Sequence, residues 1–172
     1  MLNIAVLGCG RIGRMHADNI ARHADAELDM VYDVHVPSAS AVAEKHGVPA
    51  ASSPQDIFSS GHVDAVLVAT TTETHADFIE MAVAAGKPVL CEKPISLTTA
   101  EFDRIIAARD ETGLLAAEAF MIVFHPQWQL VRDWIAAGRI GKLVHVQGAF
   151  SFDNRSDPGN IRNRPETGGG AL

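Results

Sequence analysis

Apolar residues fall along this chain in short unbroken runs, and the stretches between them repeat with helical period. Residues 2–7 are apolar except for Asn3, and further runs follow at 28–33, 63–69, 87–91 and 114–120. Short apolar runs bounded by glycine, proline or charge predict strands buried on both faces. Between them lie helical patterns: one reaching about residue 24, one over 37–47 with proline early and Gly47 just past its end, and a short piece opening at Ser52-Ser53-Pro54. A helix from His75 to about residue 85 stops at Gly86, and another runs from the capping box Thr98-Thr99-Ala100-Glu101 to Thr112 and stops at Gly113. Six strand runs, five of them clear, alternate with these helices. They predict an α/β fold with a doubly wound parallel sheet over residues 1–120, with Val89-Leu90-Cys91 on its fifth strand.

After Phe120 the pattern changes. Residues 121–126 lead into a helix that ends near Gly138 and carries Trp128 and Trp134. Residues 142–152 then alternate, with Val144, Val146, Phe150 and Phe152 on one face and His145, Gln147 and Ser151 on the other. Period two over this length predicts a strand with one wet face, as in an open antiparallel sheet. The expectation is a second, α+β domain that begins at residue 121 and is incomplete at 172, because one helix, one strand and a loop leave that apolar face uncovered. The chain is expected to be the front part of a longer protein, poorly soluble and inactive by itself.

Composition narrows the classes. Hydrophobic residues make up 47% and charged residues 20%, which predicts a folded globular chain. The net charge of -7, with no basic cluster, argues against nucleic acid or an anionic membrane as partner. No apolar run approaches the roughly 20 residues of a membrane span, and the first apolar run lacks a basic leader, so a cytoplasmic location is the default expectation. Cys9 and Cys91 are too few for a disulfide framework and are expected to be small buried residues. The eight histidines show no metal-ligand spacing, so no metal is expected.

The chemistry is concentrated at strand ends. Gly8-Cys9-Gly10-Arg11-Ile12-Gly13 follows the first strand and opens a helix. In such a G-x-G-x-x-G turn the first glycine permits a tight bend, the second lets the backbone approach a pyrophosphate, and the third allows close packing of helix on strand. Gly8, Gly10, Arg11, Ile12 and Gly13 are therefore candidates for the phosphate side of a dinucleotide site; a methyltransferase-type nucleotide site and a purely structural turn are the alternatives. Asp33 lies 20 residues beyond Gly13, where an acid meets the ribose hydroxyls. A carboxylate there repels a 2′-phosphate and residues 34–38 offer no arginine or lysine, which favours NAD over NADP. Thr70 and Thr71 are placed to line the same crevice, although threonines in this position also serve as helix caps, and His75, in the first turn of the helix, either faces the cofactor or simply packs. Lys93, at the carboxyl end of a strand and followed by Pro94, is the leading candidate for chemistry; the plain alternative is a solvated lysine in a turn.

These residues resemble the glucose-fructose oxidoreductase and inositol dehydrogenase family, Gfo/Idh/MocA. The matching segments are the glycine turn with His16 after it, the stretch from Ala69-Thr70 to His75, Gly86-Lys87-Pro88-Val89-Leu90-Cys91-Glu92-Lys93-Pro94, and the terminal Gly168-Gly169-Gly170-Ala171-Leu172. Glu118-Ala119-Phe120-Met121, Phe124-His125-Pro126-Gln127 and Arg162-Asn163-Arg164-Pro165-Glu166 are most similar to the dihydrodiol dehydrogenase and xylose dehydrogenase branch. Thr71 departs from the proline many relatives carry. The resemblance implies a Rossmann fold and hydride transfer between a nicotinamide cofactor and a sugar- or polyol-like secondary alcohol. It gives Lys93 an acid/base or orienting role and Pro94 an often cis bond, and it sets Glu92, Lys93 and Arg162 near the cofactor. It also implies further catalytic groups, an Asp and a His or Tyr, beyond Leu172, and a homo-oligomer for the full-length protein. A non-catalytic cofactor-binding or regulatory protein on the same fold remains the other class.

Overall fold

The structure is a computed structural model that describes residues 1–151, 153, 155–157 and 159–164, without the Arg162 side chain. Its centre is a five-stranded parallel sheet of β1 (Leu2–Leu7), β2 (Ala26–Tyr32), β3 (Ala65–Val68), β4 (Val89–Cys91) and β5 (Ala116–Glu118), in the order β2-β1-β3-β4-β5. The helices are α1 (Arg11–Ile20), α2 (Val36–His46), α3 (Pro54–Phe58), α4 (His75–Ala84), α5 (Thr99–Thr112) and α6 (Pro126–Ala136).

Because successive strand residues point to opposite faces, each buried strand feeds two cores. Ala5, Leu7, Val66, Val68, Val89 and Cys91 pack on one side with Ile57, Ile79, Ala82, Val83 and Ile105, that is, with α3, α4 and α5. Val6 and Leu67 pack on the other with Ala17, Ile20, Ala39, Val42 and Ala43 of α1 and α2. Leu7, Ile57 and Ile79 are among the largest fully buried side chains, each worth about 1.5–3 kcal/mol of transfer free energy. Helices on both faces of a parallel sheet are the predicted doubly wound arrangement.

Register positions the functional edge. Leu7 lies opposite Tyr32 and Val68, Val68 opposite Cys91, and Cys91 opposite Glu118, so one straight row crosses the sheet. The chain therefore leaves all five strands at the same edge. Lys87 adds a brace that its charge does not advertise: its buried ammonium donates to Ser60 O at 2.8 Å and Val63 O at 2.7 Å, tying the start of β4 to the loop before β3.

Two expectations need correction. The sheet has five strands where six runs were expected, so the strand ending at Cys91 is the fourth; a single parallel bridge, Val31 to Ala50, is all that forms between β2 and the chain near residue 50. Pro49 beside it lacks the N–H a full ladder needs. The predicted strand at 142–152 is also absent among the described residues, and 143–151 carry no regular structure. A strand is held by backbone bonds to a neighbour, and alternation alone supplies none. Residue 152 lies outside the described residues.

Candidate functional site

The glycine turn is dictated by contacts that leave no room for a side chain. Gly8 has φ +95°, and a Cβ there would stand 2.4 Å from Ala69 O; one on Gly13 would stand 1.7 Å from Gly8 O. These two glycines let β1, α1 and the end of β3 close on one another. Gly10 is different: a Cβ there meets nothing within 4 Å, so its freedom leaves an open approach to the backbone. Gly10 caps α1 without a side-chain hydrogen bond, and the first turn holds no acidic residue. The first N–H groups of a helix lack intrahelical acceptors and carry its positive dipole end. A pyrophosphate fits this cradle, with Gly10, exposed Arg11 and half-buried Ile12 around it.

Asp33 follows β2 directly and is half-buried. Its Oδ2 accepts the Cys9 N–H at 2.6 Å and its Oδ1 accepts the His35 N–H at 2.8 Å, so the carboxylate is fixed beside the glycine turn. Each oxygen retains acceptor capacity for a ribose hydroxyl. Burial, reinforced by the Asp33 charge and only partly offset by Arg14, pushes the Cys9 thiol up to about 11. Cys91 is driven higher still, first by burial and then by Glu92 and Glu118. Both cysteines are buried and remain protonated, as expected of packing residues.

Thr70 and Thr71 follow β3 and are half-buried at the same edge; the Thr74 hydroxyl lies 2.8 Å from both Thr70 Oγ1 and Thr71 O, closing the turn into α4. His75 stands one layer deeper. It is buried, with Nδ1 2.8 Å from Pro94 O and Nε2 3.2 Å from Thr70 O. Both neighbours are acceptors, so a neutral ring donates to one of them at a time and only an imidazolium donates to both. Its nitrogens are thus occupied in joining the loop after β3 to the loop after β4.

That second loop carries Lys93. The Lys93–Pro94 peptide is cis, and the lysine side chain is exposed. Glu92 anchors the loop: its N–H donates to Val68 O at 2.8 Å, its Oε1 accepts from His16 Nε2 at 2.8 Å, and its Oε2 accepts the Lys93 N–H at 3.2 Å. Burial works against the Glu92 charge, but the hydrogen bonds from His16 and Lys93 and the positive charges of both residues outweigh it, holding the carboxyl below its usual range. On the far side Glu118 Oε1 accepts the Ile95 N–H at 2.9 Å.

The edge therefore brings together Gly8, Gly10, Arg11, Ile12, Gly13, Asp33, Thr70, Thr71, Glu92 and Lys93, with His75 behind them. Arg162 belongs to a short 3-10 turn, Ile161–Asn163, and its side chain lies outside the described residues, as do residues 165–172. Sequence reasoning missed Glu118 and gave His16 no role. A signal for His16 existed: Gly13, Ala17 and Ile20 form the buried face of α1, and position 16 borders it.

Comparison with known proteins agrees with this architecture. Residues 2–120 match a family profile described as an oxidoreductase family with an NAD-binding Rossmann fold, and residues 128–172 match the Gfo/Idh/MocA C-terminal domain. A myo-inositol 2-dehydrogenase from Thermotoga maritima is 34% identical over 158 residues, 91% of this chain and 47% of that protein. A scyllo-inositol dehydrogenase from Lactobacillus casei, solved with bound NAD(H) and scyllo-inositol, aligns at TM-score 0.76 and 27% identity over 82% of this chain and 42% of that one. The WlbA dehydrogenase from Bordetella pertussis, in complex with NADH and UDP-GlcNAcA, aligns at TM-score 0.78 and 30% identity over 82% and 41%. The chain spans less than half the length of each of these three relatives. Among the described residues no helix is long and apolar enough to cross a membrane. With the glycine turn, the strand-end row and a family profile covering most of its length in agreement, the chain belongs to the Gfo/Idh/MocA oxidoreductase family.

Proposed function

We propose that this chain is the cofactor-binding part of an NAD-dependent oxidoreductase that moves hydride between nicotinamide and a secondary alcohol or carbonyl on a sugar or polyol. Residues 1–120 form the dinucleotide domain and 121–172 begin the domain that helps to enclose substrate. The convergence of the glycine turn, Asp33 and Lys93 on one sheet edge supports this most directly. Gly8, Gly10, Arg11, Ile12 and Gly13 hold the pyrophosphate, and Asp33 takes the ribose hydroxyls. Thr70, Thr71, His75, Glu92 and Arg162 complete the cofactor side, His75 acting through the loops it joins. The dinucleotide supplies the hydride acceptor or donor; Lys93 orients the substrate oxygen and exchanges its proton.

The relatives, inositol dehydrogenases and a dehydrogenase solved with a nucleotide sugar, support a polyhydroxylated substrate. Asp33, with its carboxylate fixed and no lysine or arginine among residues 34–38, supports NAD over NADP. A homo-oligomer in the cytoplasm belongs to the same proposal, and light scattering on the purified protein tests the assembly.

The direct experiment, on the full-length protein, is calorimetric titration of NAD and NADP, followed by a panel of inositols, aldoses and nucleotide sugars assayed for reduced cofactor. NAD is expected to bind more tightly than NADP, and Lys93→Ala to abolish most turnover while leaving NAD affinity in place. Equal affinity for the two cofactors would remove Asp33 from the specificity argument. Unchanged turnover in Lys93→Ala would remove that lysine from the chemistry.

A further inference from the structure

We propose that His16 is a positioning residue for Lys93: through Glu92 it ties the helix that receives the pyrophosphate to the loop that carries the lysine. The proposal rests on the function given above and adds to it a specific link between cofactor site and chemistry.

The link is continuous and short. His16 sits on α1, about 7.5 Å along the helix axis from Arg11 in its first turn. Its Nε2 stands 2.8 Å from Glu92 Oε1, and the other carboxylate oxygen of Glu92 accepts the backbone N–H of Lys93 at 3.2 Å. One carboxylate thus uses one oxygen on the nucleotide helix and the other on the lysine itself. An ionised carboxylate only accepts, so the His16 proton must reside on Nε2. Both side chains are largely shielded from water, His16 at 18% and Glu92 at 13% exposure, which strengthens the bond relative to a surface pair.

The position of the link matters because Lys93 gains no such hold from its own side chain. The lysine is exposed, and among the described residues its Nζ has no hydrogen-bond partner. Its place is set by its backbone. That backbone is held by Glu92 on one side, by His75 at Pro94 O, and by Glu118 at the Ile95 N–H. Of these three, only Glu92 is tied to α1. Of the holds on this loop, the one through His16 thus refers Lys93 to the helix whose N-terminus meets the pyrophosphate, whereas His75 and Glu118 tie the loop to the sheet edge and α4.

The test compares His16→Ala with His16→Gln, whose amide N–H can donate in place of Nε2, in the full-length protein. Hydrogen exchange at the amides of Glu92, Lys93 and Ile95 should quicken at least about tenfold in His16→Ala, the loss of one hydrogen bond to a charged group, and stay near wild type in His16→Gln. In turnover assays His16→Ala should lower kcat while NAD affinity changes less than about twofold, and His16→Gln should restore kcat. Should His16→Ala fail to fold, His16→Phe keeps the ring volume but cannot donate to Glu92, and should quicken the same amides. Unchanged exchange at these amides, or a loss confined to NAD affinity, would overturn the role. Failure of the wild-type chain to bind NAD would instead sink the proposed function, while the exchange measurement still decides whether His16 holds the lysine loop.

Discussion

At the scale of single residues, two glycines three positions apart make opposite demands. Alanine at Gly13 would place a Cβ 1.7 Å from Gly8 O, a contact relieved only by moving backbone. Gly13→Ala is expected to cost roughly 1–3 kcal/mol in urea unfolding, the range for forced overpacking, and to abolish NAD binding. At Gly10 a Cβ meets nothing, so Gly10→Ala should stay within about 1 kcal/mol of wild type yet weaken NAD binding, because the methyl group occupies the approach to the phosphates. Glu92 makes a pH-dependent contribution. Its folded pKa lies below the ordinary 4.5, so the stabilisation is fully present above about pH 4.5 and is lost as pH falls through the folded value. Glu92→Gln should therefore be less stable than wild type at pH 7, with the gap closing at pH 3, as read from urea midpoints at both pH values. At this scale sequence reasoning named Gly8, Gly10, Gly13, Asp33 and Lys93 because each stands in a short motif. His75 was named from its place in the first turn of α4; its contacts are backbone oxygens, Thr70 O five residues before it and Pro94 O nineteen after it, and no side-chain motif displays them.

Elements were legible where local chemistry ends them. The α5 capping box is formed as the spacing predicts, with the Thr98 hydroxyl accepting the Glu101 N–H at 3.2 Å and Glu101 Oε2 accepting the Thr98 N–H at 3.0 Å. Gly113 then closes the helix with φ +67°. Thr98→Ala is expected to remove about 1 kcal/mol, seen as faster amide exchange in the first turn of α5 with the sheet amides unchanged. Strands were legible in place but not in number. A run such as residues 63–69 is marked as buried by its own side chains, and β3 forms within it as Ala65–Val68. Residues 142–152 show the alternation of a strand, yet those described form none, because ladder bonds depend on a neighbour that the pattern does not name.

For the whole molecule, the buried hydrophobic core of the described residues ends at Ile105, and apart from half-buried Ile135 every apolar residue from Met121 to Val146 is exposed. Phe124 is 74% exposed and Val144 84%, and Trp128 and Trp134 of α6 are 50% and 42% exposed. Exposed apolar side chains in this number favour association. The 172-residue chain is expected to scatter light increasingly with concentration, and a chain ending at Phe120, which keeps the entire core, to remain monodisperse. The sequence by itself determined the doubly wound class, the glycine turn and the lysine at a strand end, because hydrophobic period, capping and φ-demanding glycines act over a few neighbouring residues. Only the tertiary structure decided that Leu7, Tyr32, Val68, Cys91 and Glu118 share one row, and that the strand ahead of Lys93 is the fourth. It also decided that His16 meets Glu92 across 76 positions of chain. Register and side-chain partnership are set by which strands lie side by side, and that choice is made by packing over the whole fold, where no local pattern reaches.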